Sequence, residues 1–169
     1  IYPARGQTEM NFDPHVFRNC LSRFATGITV VTCVDKEGVP HGMTVNSFNS
    51  VSLDPPLILF SLARDARSIG LFENADSYAV NVLAQDQMEV SQKFSIAGEE
   101  KWRDTQWSTG EHGAPILAGT MATFECRPYS TADGGDHIIF IGRVEQCTQI
   151  EDANPLLYFS GQYAKLAAG

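Results

Sequence analysis

β-Branched and aromatic residues gather in short runs along the chain, separated by polar turn residues. Ile28 to Val34 is almost continuously β-branched, and Asp35-Lys36-Glu37-Gly38 supplies turn chemistry before a second run from His41 to Phe48, which together read as a hairpin. Leu57 to Leu62, Ser77 to Leu83, Met121 to Pro128, His137 to Cys147 and Leu156 to Phe159 repeat the pattern, with Asp133-Gly134-Gly135-Asp136 as the turn ahead of His137. Helical spacing is confined to three places. Asp13-Pro14 offers a capping acceptor and a proline at the first helical position, Val16, Phe17, Cys20, Leu21 and Phe24 follow at helical intervals, and Gly27 is the expected stop. Ser68 to Asn74 reads as a short helix capped by the Ser68 hydroxyl, and Gln85 to Phe94 as a polar helix burying Met88, Val90 and Phe94. Lys101 to Glu111 shows no period and reads as a loop, although Trp102 and Trp107 need somewhere to pack.

Strands outnumber helices and lie mostly next to one another in sequence. No strand-helix alternation of the doubly wound kind is visible, no G-x-G-x-x-G follows a strand, and no phosphate-binding G-x-x-x-x-G-K-[ST] occurs. The expected fold is therefore mainly β: antiparallel hairpins closing into a barrel, which removes exposed edges, with a few flanking helices. The 169 residues with 43% hydrophobic content suit one domain, expected over 11–169, behind a flexible arm at 1–10 that lacks any apolar period.

Charge and cysteine usage narrow the partners. A formal net charge of -8 with only 12 Lys plus Arg argues against nucleic acid, while leaving room for a small anionic cofactor that senses local charge. The apolar runs fall far below the roughly 18 residues of a membrane helix, and no secretory pattern is visible, so a soluble cytoplasmic protein is expected. Cys20, Cys33, Cys126 and Cys147 are scattered without zinc-like spacing and read as reduced core residues, and no metal site is expected. His15, His41 and His112 read as surface residues.

The chemistry concentrates in Gly42 to Pro56. Thr44, Asn46, Ser47, Asn49, Ser50 and Ser52 take six of nine successive positions that a strand would otherwise fill with apolar groups. Uncharged donors and acceptors at that density suit a heteroaromatic ring with several carbonyl and imine edges, and on composition alone they equally suit a Ser/Asn-rich loop stiffened by Pro55 and Pro56. Arg64, Arg67 and Ser68 follow an apolar strand, a cationic loop feeding a helix that fits phosphate chemistry or, equally, a solvated surface. Lys101 and Arg103 are further phosphate candidates. His137 opens an apolar strand behind Gly134-Gly135-Asp136, which places it at a barrel mouth.

The order of these segments resembles a known family. Phe24-Ala25-Thr26-Gly27-Ile28-Thr29-Val30-Val31-Thr32, Gly42-Met43-Thr44-Val45-Asn46-Ser47-Phe48, Ser50-Val51-Ser52-Leu53-Asp54-Pro55-Pro56-Leu57-Ile58-Leu59-Phe60, Asn81-Val82-Leu83 and Gly134-Gly135-Asp136-His137 together resemble the short flavin reductases of two-component flavin monooxygenases, from about Phe17 to Tyr163. The resemblance implies a split β-barrel that binds FMN or FAD, a homodimer, NADH or NADPH as hydride donor, and delivery of reduced flavin to an oxygenase. Carried over by position, Thr44, Val45, Asn46 and Ser47 would line the isoalloxazine. Ser50, Ser52, Ser61, Arg64, Arg67, Ser68 and Lys101 would serve the ribityl chain and phosphates, and His137 would position the nicotinamide. Hydride transfer is chemistry the cofactors carry themselves, which agrees with the lack of any catalytic dyad. A non-enzymatic flavin-binding electron carrier on the same barrel is the alternative, and a barrel used only for interaction leaves the polar run without a purpose. Phe48, Trp102 and Tyr158 are the aromatics expected to lie under a second copy.

Overall fold

The computed structural model describes residues 12–98 and 100–167, so most of the expected N-terminal arm lies outside the described residues. In chain order the elements are α1 (Pro14–Leu21), β1 (Thr26–Gly27), β2 (Thr29–Val34), β3 (Pro40–Val45), β4 (Asn49–Leu53), β5 (Pro56–Ala63), α2 (Ile69–Glu73), β6 (Tyr78–Val82), α3 (Met88–Ser95), a 3-10 turn (Glu100–Trp102), β7 (Trp107–Thr109), β8 (Pro115–Leu117), β9 (Ala122–Gly134), β10 (His137–Gln149), β11 (Leu157–Phe159) and β12 (Gln162–Ala164). Seven strands form one antiparallel sheet in the order β3-β2-β6-β9-β10-β5-β4, with β1-β11-β12 and β7-β8 as smaller sheets. This is the expected mainly β, split-barrel fold with a few flanking helices.

The period of two along the strands decides where the core sits. On β5 the inward positions Ile58, Phe60 and Leu62 alternate with half-exposed or exposed ones, and on β10 Ile138 and Phe140 do the same. These residues meet Val31, Cys33, Tyr78, Val80 and Cys126 inside the barrel, where Phe60 stacks on Phe140 at 5.2 Å and meets the Tyr78 ring edge-on at 5.1 Å. Strand β2 breaks the one-sided pattern because both of its faces are covered. Val31 and Cys33 point into the barrel, whereas Val30, with Ile28 just before the strand, packs outward against Leu83, Phe94, Leu117 and Leu156. Burial on both sides explains why that run reads as continuously apolar rather than alternating.

One polar residue ties the two layers together. Asn81 on β6 is fully buried; its amide nitrogen donates to the Val30 carbonyl at 3.1 Å and to Thr32 Oγ1 at 3.2 Å, and its Oδ1 accepts from Leu117 N at 2.9 Å. Thr32 Oγ1 in turn donates to the Pro115 carbonyl. The β7-β8 hairpin is thus hydrogen-bonded onto the barrel wall through two buried side chains.

Several expectations need correction. The first helix begins as expected, with Asp13 Oδ1 accepting from His15 N at 2.8 Å, but it ends at Leu21 with Ser22 as its cap, and Gly27 belongs to β1. None of its residues is buried, so Val16, Phe17 and Leu21 face outward. Lys101 to Glu111 is not a loop throughout: it contains part of the 3-10 turn and strand β7. Trp102 packs edge-on against Phe94 at 4.9 Å and against Trp107 at 5.5 Å. Strand β9 runs to Gly134, well past the expected stop at Pro128, whereas β10 starts at His137 as expected and ends at Gln149, two residues past Cys147. Ser68 stands at the N-cap of α2, but its hydroxyl makes no capping bond. Burial pushes the thiols of Cys33 and Cys126 up to about 12, as suits inert core groups, whereas Cys20 and Cys147 are exposed rather than in the core. Phe48 stacks on Phe124 at 5.5 Å and Tyr158 meets Tyr163 edge-on at 5.8 Å, so the three aromatics expected to await a second copy are partly buried within the chain.

Replacing Asn81 with alanine strands the Leu117 N–H and the Val30 carbonyl in a dry layer. Asn81→Ala should therefore lower the unfolding free energy by more than about 2 kcal/mol, from the cost of buried unsatisfied groups. Urea denaturation followed by tryptophan fluorescence reads this directly, because Trp102 and Trp107 report on the layer that the amide holds.

Candidate functional site

Strand β3 and helix α3 lie against each other because position 42 is glycine. A Cβ on Gly42 would come within 2.9 Å of Phe94 Cε1, so any larger residue would force the helix off the strand. Thr44 Oγ1 donates to the Ser91 carbonyl at 2.7 Å, and Lys101 Nζ donates to the Gly42 carbonyl at 3.0 Å and to the Ile96 carbonyl at 2.9 Å. Desolvation holds the Lys101 ammonium below the ordinary lysine range. These contacts fix the helix along the strand and leave a cleft at each end.

At the Val45 end the cleft measures about 370 Å³ and is walled by Ile28, Thr44, Val45, Asn46, Ser91, Tyr158 and Tyr163. Tyr158 and Tyr163 come from the β11-β12 hairpin, whose turn places Ser160 and Gly161 at positive φ (51° and 77°), the pairing a two-residue hairpin with right-handed strand twist requires. The Tyr163 hydroxyl lies 3.0 Å from Ser91 Oγ, so the hairpin is tied to α3 across the cleft. Every side chain of this wall is uncharged. A planar heteroaromatic ring fits it: aromatic faces on one side, hydroxyl and amide groups on the other.

At the Pro40 end a second cleft of about 250 Å³ is lined by His41, Gly42, Arg67, Ser68, Lys101 and Trp102, among others. An arginine, a lysine and a histidine meet here, in a chain whose net charge is -8. Arg67 makes no ion pair or hydrogen bond among the described residues. His41 is not the surface residue expected: it is half-buried, and its Nε2 lies 2.9 Å from Asp35 Oδ2. The bond from His41 holds the Asp35 carboxyl below the usual range, and the backbone N–H of Val39 adds to the effect. Such a donor set suits phosphate oxygens.

The remaining candidates lie elsewhere. Ser47 Oγ accepts from Ser61 N at 2.9 Å and donates to the Ser61 carbonyl at 3.0 Å, so these two residues bridge the end of β3 to β5. Ser50 and Ser52 sit on the outer strand β4 and line neither cleft. Arg64 donates through Nε to the Gly135 carbonyl at 3.0 Å and through Nη2 to Asp133 Oδ1 at 2.8 Å, which commits its guanidinium to the turn that carries His137. His137 is half-exposed, pairs across strands with Ala63, and has Nδ1 at 2.7 Å from Asp136 Oδ1. Arg103 points to the surface and pairs with Glu100 at 3.4 Å. The structure therefore joins Thr44, Val45 and Asn46 in one cleft and Arg67, Ser68 and Lys101 in another. It adds Ser91 and Tyr163, to which the pattern assigns no role, Tyr158, expected under a second copy, and His41, expected at the surface. Ser91 and Ser95, four apart on a helix and so on one face, were the available signal for the first.

Comparison with known proteins follows the same lines. Residues 21–167 match the family described as flavin reductase like domain. The chain is 39% identical to a flavin-dependent monooxygenase reductase subunit of Rhodococcus jostii, over 89% of this chain and 77% of the relative. It is 42% identical to an FMN reductase (NADH) of Agrobacterium fabrum, over 89% of this chain and 85% of the relative. Among solved structures it resembles the NADH:FAD oxidoreductase of Streptomyces globisporus in complex with NAD and FAD fragments. The TM-score is 0.87 and the identity 35%, covering 92% of this chain and 93% of the other.

Ser47→Ala removes both bonds to Ser61 and should destabilise the fold by about 1–3 kcal/mol. Ser52→Ala, on the outer strand, should change stability by less than about 0.5 kcal/mol. Paired urea titrations of the two variants separate a bridging hydroxyl from a merely polar one.

Proposed function

The chain belongs to the flavin reductase family, and from that premise we propose that it oxidises NADH or NADPH to reduce FMN or FAD and passes the reduced flavin to a partner oxygenase. The observation that carries this reading is the placement of an uncharged aromatic cleft and a cationic cleft on the same strand. At about 3.3 Å per residue, Thr44 and Gly42 stand some 7 Å apart along β3, so one flavin nucleotide reaches from the first cleft to the second. Thr44, Val45 and Asn46 would hold the ring, and Arg67, Ser68 and Lys101 the phosphates. The bound flavin would supply the hydride acceptor and the nicotinamide the hydride.

What the chain itself contributes is alignment and solvation. Tyr158 and Tyr163 wall the ring cleft and exclude water, while the hydroxyls of Thr44 and Ser91 and the Asn46 amide offer neutral hydrogen bonds. Holding by neutral groups lets a flavin leave after reduction, as a supplier to a separate enzyme requires. Asp136 engages Nδ1 of His137 and leaves Nε2 for a ligand, so this side chain would orient a nicotinamide rather than move a proton. The apolar residues exposed on α1 (Phe17, Leu21), just after it (Phe24) and on β4 (Leu53) support a homodimer.

NADH oxidation should depend on added FMN or FAD; an electron carrier would instead retain one flavin and show no turnover. His137→Ala should raise the apparent KM for NADH about tenfold, the scale of one lost hydrogen bond, and leave flavin affinity intact. Wild-type kinetics in that variant would take His137 out of the site. Sedimentation at micromolar concentration should give a dimer, and a monomer there would refute the second copy.

A further inference from the structure

The histidine of the cationic cleft has no part in the reading above, and its geometry gives it one. An ionised Asp35 can only accept, so the contact between its Oδ2 and His41 Nε2 fixes the ring proton on Nε2. The other ring nitrogen, Nδ1, makes no hydrogen bond among the described residues, and His41 lines the same cleft as Arg67, Ser68 and Lys101. Neutral His41 therefore carries a lone pair on Nδ1, which repels a phosphate oxygen. Protonated His41 carries an N–H there, which binds one.

We propose that His41 is a proton-gated ligand of the flavin's phosphates, donating from Nδ1 only when its ring is charged, so that the cleft holds flavin more tightly as pH falls. The proposal rests on the phosphate reading of that cleft. Groups on every neighbouring element agree with it. Lys36 and Glu37 in the β2-β3 turn oppose each other in sign. Cys33, the cross-strand partner of His41, is a neutral thiol at any relevant pH. Glu89 and Lys93 of α3 are exposed, and Arg67 and Lys101 line the same cleft. Asp35, whose carboxyl is held low, stays ionised and favours the imidazolium. The sign follows: phosphate binding draws a proton onto His41, and affinity is lost as pH rises through the histidine range. A free second ionisation on the ligand would work in the opposite direction, since a phosphate monoester gains charge as pH rises. The pyrophosphate of FAD has none, which makes FAD the suitable probe.

The experiment measures FAD binding by calorimetry at about pH 6 and about pH 8, in two buffers of different ionisation enthalpy, with riboflavin as the phosphate-free control. For the native chain, the FAD dissociation constant should rise roughly tenfold across that range, the scale of one charge-assisted hydrogen bond, with proton uptake on binding; riboflavin should show neither. His41→Gln should bind with little pH dependence. Asp35→Asn keeps Oδ1 for the turn but can donate to Nε2, which moves the neutral ring's proton to Nδ1; FAD should then stay tight at both values. Nitrogen NMR of the native chain with inorganic pyrophosphate gives a readout that needs no variant: His41 should titrate at a higher pH when the anion is added. If Arg67→Ala leaves FAD affinity unchanged, the phosphate reading itself fails. If Arg67→Ala weakens binding while His41→Gln keeps the native pH profile, only the role of His41 is overturned.

Discussion

A strand with a neighbour on one side must satisfy its other edge or expose it, and β3 is such a strand. Its ladder partner is β2, it forms one end of the seven-stranded sheet, and both clefts lie along it. Instead of another strand, side-chain contacts hold what lies beside it: Lys101 takes the Gly42 carbonyl, Thr44 reaches out to the Ser91 carbonyl on α3, and Ser47, just past the strand, reaches the Ser61 backbone. An eighth strand hydrogen-bonded along that edge would have filled the space where the clefts are. The opening in the barrel and the candidate binding surface both follow from one unpaired edge.

That arrangement also explains the choice of polar residues. Apart from Lys101, the groups that tie this part of the chain to its neighbours are short, neutral hydroxyls able both to donate and to accept. The same properties suit contact with a ring that has to be held and released. Charge enters only where phosphate is expected, at the Pro40 end, and there Lys101 serves two purposes: its ammonium is hydrogen-bonded to two carbonyls and still faces the cleft. Removing it would loosen α3 as well as weaken an anion, so its effects on binding and on folding are coupled, whereas those of Arg67 are not.

How far the sequence could be read depended on burial. β2, β5, β6 and β10 announce themselves because a dry face imposes a period of two, or a continuous apolar run where both faces are dry. β4, β7, β8 and β12 were passed over: three have only three residues, and β4 has no buried position to set its phase. The site was legible as residue type and not as place. Thr44 to Ser52 reads as one polar run, but the chain turns after β3, so its first three candidates face a cleft, Ser47 bridges to β5, and Ser50 and Ser52 lie on the outer strand. His41 and Arg67 come together only through the fold, because the segments that carry them are far apart along the chain.

Net charge misleads about such a site in a particular way. A total of -8 describes the field at a distance, and at physiological salt that field decays over roughly 8 Å. Within the Pro40 cleft the relevant charges are those in contact: Arg67, Lys101 and the His41-Asp35 pair. The acidic remainder would repel nucleic acid, because a phosphate polymer spans many screening lengths and meets the whole surface. A single nucleotide does not, and needs only the few angstroms of positive lining. An acidic chain with one local cationic cleft therefore selects for small phosphates over polymeric ones by geometry alone, without any group dedicated to rejecting the latter.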